Sequence, residues 1–536
     1  MPRWRDSLRL TLLFVLLTGL MTWPQALVLG THAAGDQDVF FNLWRLRWIA
    51  HALATAPHHL FDGNMFYPER NVLAYSDAML AEGILSAPLQ WTGVPPVLIH
   101  NLVLLGGIVA SAVGIVVLAR HLTGSTAAAI VSGVVFAFAP YRFDHYKHLE
   151  LQWTVWTPWA FWALQRALET GSVRFGVITG VCVALQMASS VYYGVFLSVL
   201  IAVVAALQLL TLRGRHLRHG VRSLLVAGAI AATLSGLYLL PYAAASKRVG
   251  TRTESEVTVF SARPQDYLAA TRENLLYGTA QRRVHERVLF PGTLPVLLAL
   301  TGLLLVPPTT ITIAYIVGLI VAFELSLGSF GVLYPVLYEH VAVFRALRAP
   351  ARASIFVLFF IGVLAAQGMA AVTALCSRRL RDAIVALACA IVLLEYWVAP
   401  LQLSPYHNNA PPLYAFLARL PRGVVAEFPM PEPSSPPRHD PRFAYMSTFH
   451  WKPLVNGYSG FFPPSYLERL NALSGFPDPS SIERLRRERV RYVVVHADGY
   501  PPGERERIVE RLLLLGLTHV AEFEDGWSVG TIMEVR

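Results

Sequence analysis

Charged residues and cysteines are both scarce in this chain. Of its 536 residues, 15% are charged and 54% are hydrophobic, whereas an ordinary soluble domain carries roughly a quarter charged residues. A water-soluble fold could not bury that much apolar side chain, so a soluble enzyme is excluded. The three cysteines, Cys182, Cys376 and Cys389, lie in or beside apolar stretches. This excludes a disulfide framework or a Cys/His zinc site in the polar segments.

Glycine motifs for nucleotides are also missing. The sequence contains neither G-x-G-x-x-G nor a Walker-type loop, so we expect no bound ATP or NAD. No basic region forms a soluble domain, and the net charge of +10 therefore does not indicate nucleic-acid binding. We attribute this charge to membrane topology and to contact with lipid headgroups.

Long apolar stretches, by contrast, are abundant. Runs that approach the roughly 20 residues needed to cross a bilayer recur up to about residue 400. They predict a mainly α fold, a polytopic membrane bundle of about eleven helices. The predicted spans are 8–29, 97–119, 126–141, 151–166, 175–191, 193–212, 223–244, 292–307, 309–328, 353–374 and 383–400.

The short loops between these spans predict the orientation, because arginines close to a span resist translocation. These arginines are Arg3, Arg5, Arg120, Arg166, Arg174, Arg213, Arg215, Arg218, Arg222, Arg378, Arg379 and Arg381. All fall on one side, which we take as cytoplasmic together with the N-terminus. The long connections 30–96, 245–291 and 329–352 then lie outside. Alanine-, arginine- and valine-rich usage without external cysteines favours a bacterial inner membrane.

The chain changes character after residue 400, where proline-rich turns and ordinary charge density appear. We predict two domains, a transmembrane domain over 1–400 that contains the long first loop 30–96, and a small extracytoplasmic α/β domain over 401–536. The predicted strands of the second domain are 423–428, 491–496, 518–523 and 527–535, and its predicted helices are 465–473, 480–489 and 503–515.

The first external loop opens with two carboxylates, Asp36 and Asp38, a few residues after the first span. Carboxylates beside a membrane are costly to bury and can serve a metal ion, a proton transfer or a sugar hydroxyl. Residues 39–55 follow with apolar side chains at helical spacing, and Arg45 and Arg47 are turned elsewhere. This pattern is typical of a helix lying in the membrane interface.

A second polar cluster lies between the third and fourth spans. Its members are Arg142, Asp144, His145, Lys147, His148 and Glu150. The two histidines, three residues apart, could share a helical face and bind a divalent ion together with Asp36 or Asp38. The alternative is that such a loop collects tyrosine, histidine and lysine at the level of the headgroups.

Three arginines, Arg345, Arg348 and Arg352, precede the tenth span at spacings of three and four. They share one helical face if the helix continues through Pro350. Guanidinium groups match phosphate oxygens, so this stripe indicates a phosphate site; snorkelling to the headgroups is the competing interpretation. Weaker candidates for the same task are Lys247, Arg248 and Arg252.

In the tail, residues 445–462 are dense in aromatics, glycine and asparagine rather than charge. Aromatic faces can stack on sugar rings and polar groups can bond their hydroxyls. The candidate acceptor-side residues are Tyr445, Trp451, Asn456, Tyr458 and Ser459. The alternative is a packed loop of the small domain.

The layout of the chain resembles that of the GT-C glycosyltransferases. It combines an acidic pair after the first span, a long first external loop, about eleven spans and a C-terminal extracytoplasmic domain. These membrane enzymes include protein O-mannosyltransferases and lipid A aminoarabinose transferases. The resemblance implies an inverting transferase whose donor is a polyprenyl-phosphate sugar and whose acceptor is a glycan, lipid or protein. It implies that an acidic residue of the first loop engages the acceptor hydroxyl, and Asp36 and Asp38 are both matching positions; between them we prefer Asp38 as the base and Asp36 as a supporting ligand. It also implies a second acidic residue, for which Asp144 and Glu150 are the candidates.

The remaining roles follow from that assignment. Phosphate binding falls to Arg345, Arg348 and Arg352, with Lys147 and Arg142 beside them, and a metal or acceptor role to His145 and His148. Mg²⁺ or Mn²⁺ is compatible with this chemistry but not required by it. Two alternatives stay open, namely a transporter of lipid-linked saccharides or polymers, and a GT-C-like scaffold without catalysis. No internal repeat supports the transporter.

Overall fold

The structure is a computed structural model that describes residues 4–278, 286–433 and 437–535, with the backbone alone for 4–6. Arg3 of the predicted cytoplasmic set lies outside the described residues, as does the side chain of Arg5. Two compact units are present. The helical unit comprises Met1–Val28, Leu102–Leu239 and Thr251–Gln402. The mixed unit comprises Leu29–Asn101, Leu240–Gly250 and Leu403–Arg536.

Most of the described chain is helical. In chain order the α-helices are α1 (Trp4–Met21), α2 (Gln37–Thr55), α3 (Leu80–Trp91), α4 (Pro96–Thr123), α5 (Thr126–Phe138), α6 (Pro140–Asp144), α7 (Leu149–Gln152), α8 (Trp156–Thr170), α9 (Val173–Ser189), α10 (Val191–Leu209), α11 (Gly214–Val249), α12 (Glu254–Val259), α13 (Thr293–Leu305), α14 (Thr310–Leu327), α15 (Leu333–His340), α16 (Ser354–Val372), α17 (Arg378–Glu395), α18 (Pro412–Arg419), α19 (Asp440–Ser447), α20 (Pro464–Ala472), α21 (Pro479–Arg487) and α22 (Glu504–Leu514). The β-strands are β1 (His32–Ala34), β2 (Leu403–Pro405), β3 (Val424–Phe428), β4 (Val490–His496), β5 (Thr518–Glu524) and β6 (Val529–Glu534).

Each predicted span overlaps one of these helices, although the first predicted span runs past the end of α1 at Met21, and the mainly α fold is confirmed. Within the described ranges, six helical segments are long and apolar enough to cross a membrane. They are Pro96–Thr123, Thr126–Asp144, Val191–Leu209, Gly214–Val249, Thr310–Phe330 and Pro350–Val372. Apolar helices over Ser7–Met21, Val173–Ser189 and Thr293–Leu305 are shorter. The count of eleven spans stays a prediction.

Helix α16 forms the centre of the helical unit, where it packs against α5, α13 and α14. Its aromatic side chains Phe359 and Phe360 are fully buried and contact Phe161 of α8. Burying such side chains stabilises a fold by about 1.5–3 kcal/mol each.

Two glycines allow α13 and α16 to touch backbone to backbone. A Cβ added at Gly368 would lie 1.9 Å from the carbonyl oxygen of Leu298, and one at Gly302 would lie 2.8 Å from the amide nitrogen of Gly368. Small residues at such a crossing are typical of helix pairs in membranes, where close van der Waals packing replaces the hydrophobic effect. We refer to this contact as the glycine seam.

A four-stranded sheet lies in the C-terminal part of the mixed unit, with the order β3-β4-β6-β5. Strand β3 is parallel to β4, while β6 is antiparallel to both β4 and β5. Strands β3 and β4 form from valine-rich runs, and β5 and β6 from runs that mix β-branched, aromatic and polar residues. They match the four predicted strands, and α20, α21 and α22 match the three predicted helices.

The long first loop is folded into the same mixed unit. Strand β1 pairs with β2, and α2 packs against α19. Buried residues of α2 point in most directions, and Arg45 is 2% exposed, with its guanidinium donating to the Asp77 carbonyl and to Asn42. The prediction that Arg45 is turned away from the apolar side chains is therefore wrong, because protein surrounds this side chain. The position of α2 in the membrane interface stays a prediction.

Candidate functional site

The acidic turn, defined as Asp36 and Asp38, lies at the start of α2 in the mixed unit. Asp36 is the residue that caps the helix, since its backbone is extended and its Oδ1 accepts a hydrogen bond from the Asp38 amide at 3.0 Å. Aspartate is among the preferred residues for this position because it satisfies an amide that the helix leaves unpaired. Asp38 lies in the first helical turn, where the helix dipole favours a negative charge.

Two tyrosine hydroxyls hold the acidic turn. Tyr458 donates to Oδ1 of Asp38 at 2.8 Å. The Tyr406 hydroxyl accepts from the Asp36 amide at 3.2 Å and lies 2.7 Å from the Ala34 carbonyl oxygen. Both carboxylates are half-buried. The two aspartates, which the sequence could not tell apart, therefore have different roles in the structure. Asp36 caps α2, whereas the Tyr458 hydroxyl orients Asp38.

The predicted aromatic loop is split between packing and the site. Tyr445 is fully buried and donates to the His407 carbonyl at 2.6 Å. Asn456 is also fully buried and joins the Glu427 backbone to the carboxylate of Asp440. These two, with the buried Ser459, match the alternative of a packed loop. Only Trp451 and Tyr458 of the predicted set are half-buried.

The second predicted cluster belongs to the helical unit, around α6 and α7. Arg142 is 1% exposed, and its guanidinium donates to the carbonyl of Phe136 at 2.6 Å and to the hydroxyl of Thr154 at 2.7 Å. It also donates to the carbonyl of Gln152 at 3.1 Å. Arg142 thus ties together the segment that connects α5 with α8. Lys147 and His148 are half-buried, and Glu150 is buried.

His145 forms a buried cluster with an acid that the sequence analysis did not single out. Its Nδ1 lies 3.1 Å from Nδ1 of His148, and its Nε2 lies 3.5 Å from Glu286 and 4.0 Å from Asp144. Burial lowers the pKa of His145 to about 3, so the ring is neutral. Across the described ranges, no three or more His, Cys, Asp or Glu side chains are grouped so as to hold a metal ion.

Glu286 pairs with Arg352 through hydrogen bonds of 2.9 Å from Nε and 2.5 Å from Nη2. Burial alone would raise the pKa of Glu286, but the guanidinium of Arg352 holds it well below its usual range. The only sequence signal for Glu286 was an isolated acid in an arginine-rich stretch of the loop 245–291.

The three predicted arginines do not share a helical face. The segment forms two short 3-10 turns, Ala342–Ala346 and Pro350–Ala353, and α16 begins only at Ser354. The expected continuous helix is wrong because Pro350 starts a new turn rather than extending the previous one. The arginines accordingly have three different environments.

Arg345 is exposed and donates to the carbonyls of Tyr338 and Glu339. Arg352 is buried in its ion pair with Glu286. Arg348 is half-buried and stacks on Phe260, with 5.2 Å between its Cζ and the ring centroid. Within the part of the chain that the structure describes, no hydrogen bond or ion pair occupies the Arg348 guanidinium.

Arg252 belongs to the same unit as Arg348. Its amide bonds the carbonyl of Arg345 at 2.9 Å, and its side chain donates to Glu256 at 3.2 Å. Burial lowers the pKa of Arg252, and the positive charge of Arg348 lowers it further. A guanidinium group that is influenced by a second one favours an anion beside it. Of the other weaker candidates, Arg248 pairs with Glu69 in the mixed unit at 3.1 Å.

Solved structures share this fold. Arabinofuranosyltransferase AftD from Mycobacteria matches 99% of the chain with a TM-score of 0.64 and 16% identity, and the chain spans 40% of its length. Oligosaccharyltransferase AglB from Archaeoglobus fulgidus, in complex with an inhibitory peptide and a dolichol-phosphate, matches 99% with a TM-score of 0.50 and 12% identity, over 74% of its length. ArnT from Cupriavidus metallidurans, bound to undecaprenyl phosphate, matches 98% with a TM-score of 0.51 and 11% identity, over 98% of its length.

No protein-family model matches the chain, and no curated protein sequence does either. The likeness to these structures shows that the chain shares their fold, as the sequence analysis expected. With its six long apolar helical segments among the described residues, the chain is an integral membrane protein.

Proposed function

We propose that the protein is a membrane glycosyltransferase that moves a sugar from a polyprenyl-phosphate carrier to an extracytoplasmic acceptor, with inversion at the anomeric carbon. The observation that carries this proposal is the acidic turn, in which a tyrosine orients a half-buried carboxylate at the start of a helix in a GT-C fold. Such a carboxylate has the geometry of a general base.

In this proposal Asp38 takes the proton from the acceptor hydroxyl as that oxygen attacks the anomeric carbon. The bond from that carbon to the carrier phosphate breaks, and the phosphate leaves with its electron pair. Tyr458 orients the carboxylate through its 2.8 Å hydrogen bond. Asp36 is a positioning residue, since its carboxylate caps the helix that bears Asp38.

We assign the carrier phosphate to Arg348 and Arg252. Their support is that no described side chain forms a hydrogen bond or an ion pair with the Arg348 guanidinium, which stacks on Phe260, and that the Arg252 backbone bonds the segment that bears Arg348. Positive groups fixed before reaction stabilise the charge that develops on a leaving phosphate. Arg345 is retained as a peripheral contact because it is exposed. The ion pair of Arg352 and the buried bonds of Arg142 favour structural roles.

The polyprenyl-phosphate donor is favoured by two neighbours, since AglB was solved with a dolichol-phosphate and ArnT with undecaprenyl phosphate.

We place the protein in a bacterial inner membrane with a cytoplasmic N-terminus and an extracytoplasmic C-terminal segment, on the distribution of arginines in the short loops. Asp144, Lys147, His145 and His148 remain candidates for assisting the reaction. A divalent cation at the acidic turn is compatible with the mechanism.

The test is transfer of labelled sugar from polyprenyl-phosphate donors by the purified protein, with Asp38→Asn and Asp36→Asn as a matched pair. We expect Asp38→Asn to lose about 10²–10⁴-fold in rate, the usual contribution of a general base. Asp36→Asn should keep most of the rate, because asparagine also caps helices. Equal rates for Asp38→Asn and the parent would refute the assignment, and repeating the assay with EDTA decides whether a metal takes part.

A further inference from the structure

A cavity in the mixed unit lies away from the acidic turn. It has a volume of about 970 Å³ and is lined by the C-terminal half of α2, by the following loop up to Arg70, and by residues 450–453. Sites for small molecules in proteins usually measure about 300–1,000 Å³. We refer to this cavity as the tryptophan cleft.

Aromatic rings form one wall of the tryptophan cleft. The rings of His51 and Trp451 are stacked with centroids 3.9 Å apart and an angle of 10° between planes. The ring of Trp48 lies 6.1 Å from that of Trp451, and its Nε1 donates to the Leu60 carbonyl at 2.7 Å, which fixes its orientation. Burial lowers the pKa of His51, so its ring is a neutral partner for stacking.

The backbone at Trp451 is also unusual. Its φ of 53° lies in the left-handed region, which is uncommon for a bulky residue. Surrounding contacts must hold such a conformation, and strained backbone of this kind clusters at sites of function. Arg47 helps to stabilise this conformation of Trp451, because its guanidinium donates to the Thr448 carbonyl and lies 6.0 Å from the Trp451 ring.

Polar groups of both signs line the rest of the tryptophan cleft. Asp62 is bonded by His59 at 2.7 Å, and Glu69 is bonded by Ser465 at 2.7 Å. Arg70 and Arg422 are exposed at the same cavity. A strongly anionic ligand would meet the two carboxylates, and an acyl chain would meet these carboxylates and the two exposed guanidinium groups. Flat aromatic faces with planar polar groups suit an uncharged ligand rich in hydroxyl groups.

The cleft is too far from the acidic turn to hold the reacting sugar. Trp48 and Thr55 follow Asp38 by 10 and 17 residues on α2, which at about 1.5 Å per residue places them roughly 15–25 Å along the helix. Resting on the proposed function, we infer that the tryptophan cleft is a non-catalytic saccharide site that binds a segment of the acceptor remote from the hydroxyl that reacts. The acceptor is then a glycan of several units rather than a single sugar.

Isothermal titration calorimetry on the purified full-length protein tests this inference, with linear hexasaccharides of mannose, glucose and arabinose as probes. At least one probe should bind saturably. Trp451→Ala should weaken its binding by tenfold or more, and Trp527→Ala, the same change elsewhere in the mixed unit, should not. If Trp451→Ala fails to fold, His51→Ala and the cleft-filling Thr55→Arg carry the test.

Asp38→Asn separates this inference from the proposed function, since it should bind the hexasaccharide as the parent does while losing transfer. A parent protein that transfers sugar but binds none of the probes overturns the cleft assignment alone. Binding that is unchanged in Trp451→Ala, His51→Ala and Thr55→Arg overturns it as well. Binding without any transfer supports the cleft and counts against the proposed function.

Discussion

The two units stabilise their buried acids in different ways. In the helical unit, Glu286 is paired with the guanidinium of Arg352, which holds its pKa well below the usual range. In the mixed unit, Asp440 is equally buried but receives neutral donors, the amide of Asn456 and the hydroxyl of Tyr466. Burial there raises the pKa of Asp440 to about 7.

Burial alone therefore does not determine whether a carboxylate is charged. The partner decides, because a full positive charge compensates the lost hydration of an anion better than neutral donors do.

Removal of the acid of the ion pair should change the stability of the protein most. Glu286→Gln leaves Arg352 buried without its counter-ion, which should lower the free energy of unfolding by about 3–5 kcal/mol. Thermal unfolding of the purified protein measures this change. The double variant with Arg352→Met should recover most of the loss, and a single variant as stable as the parent would show that the pair contributes nothing.

The acid of the mixed unit predicts a dependence of stability on pH. Because the pKa of Asp440 is about 7 in the folded chain, above its ordinary value of 3.8, the folded state binds the proton more tightly than the unfolded state. Its contribution is therefore greatest at low pH and is lost as the pH rises through 7. Between pH 5 and 8 this amounts to about 2–3 kcal/mol.

Unfolding of the parent and of Asp440→Asn at pH 5, 6.5 and 8 isolates this effect. The variant has no carboxyl group to titrate at that position, so its stability should fall less with rising pH. Parallel pH profiles for the two proteins would mean that Asp440 does not titrate in this range.

The arginines of the helical unit allow a comparison within one segment. Arg348→Ala should weaken the binding of undecaprenyl phosphate by roughly tenfold to a hundredfold, the value of one charge-assisted hydrogen bond. Arg345→Ala should change it little, since that side chain is exposed and bonded to two carbonyls. Equal losses in the two variants would argue for a diffuse headgroup contact instead.

The hydrogen bond from Tyr458 to Asp38 should affect the rate least among these changes. Tyr458→Phe removes a neutral hydrogen bond worth about 1 kcal/mol, so the rate of transfer should fall about fivefold. Tyr445→Phe is the matched control, since its hydroxyl bonds the His407 carbonyl instead of Asp38. Equal transfer rates in the two variants would exclude this role for Tyr458.

Much of the fold could be predicted because its signals are local. The helices of the predicted spans follow from apolar runs, and β3 to β6 follow from segments with β-branched residues between turn residues. Helices α18 and α19 were missed, since each has only eight residues and begins with proline in its first turn.

The candidate site was predictable only in part, because its contacts join distant residues. Glu286 and Arg352 are 66 positions apart, and Asp38 and Tyr458 are 420 positions apart, so no spacing rule connects them. The prediction that the three arginines share one helical face is wrong for a local reason, because Pro350 starts a new 3-10 turn and the expected continuous helix does not form.

The glycine seam between α13 and α16 has a consequence for genetic screens. Alanine at Gly302 or Gly368 adds a single methyl group, yet that methyl would collide with main-chain atoms that no rotamer change can move aside. Inactive clones at these positions would therefore report damaged helix assembly and give no information on donor or acceptor recognition.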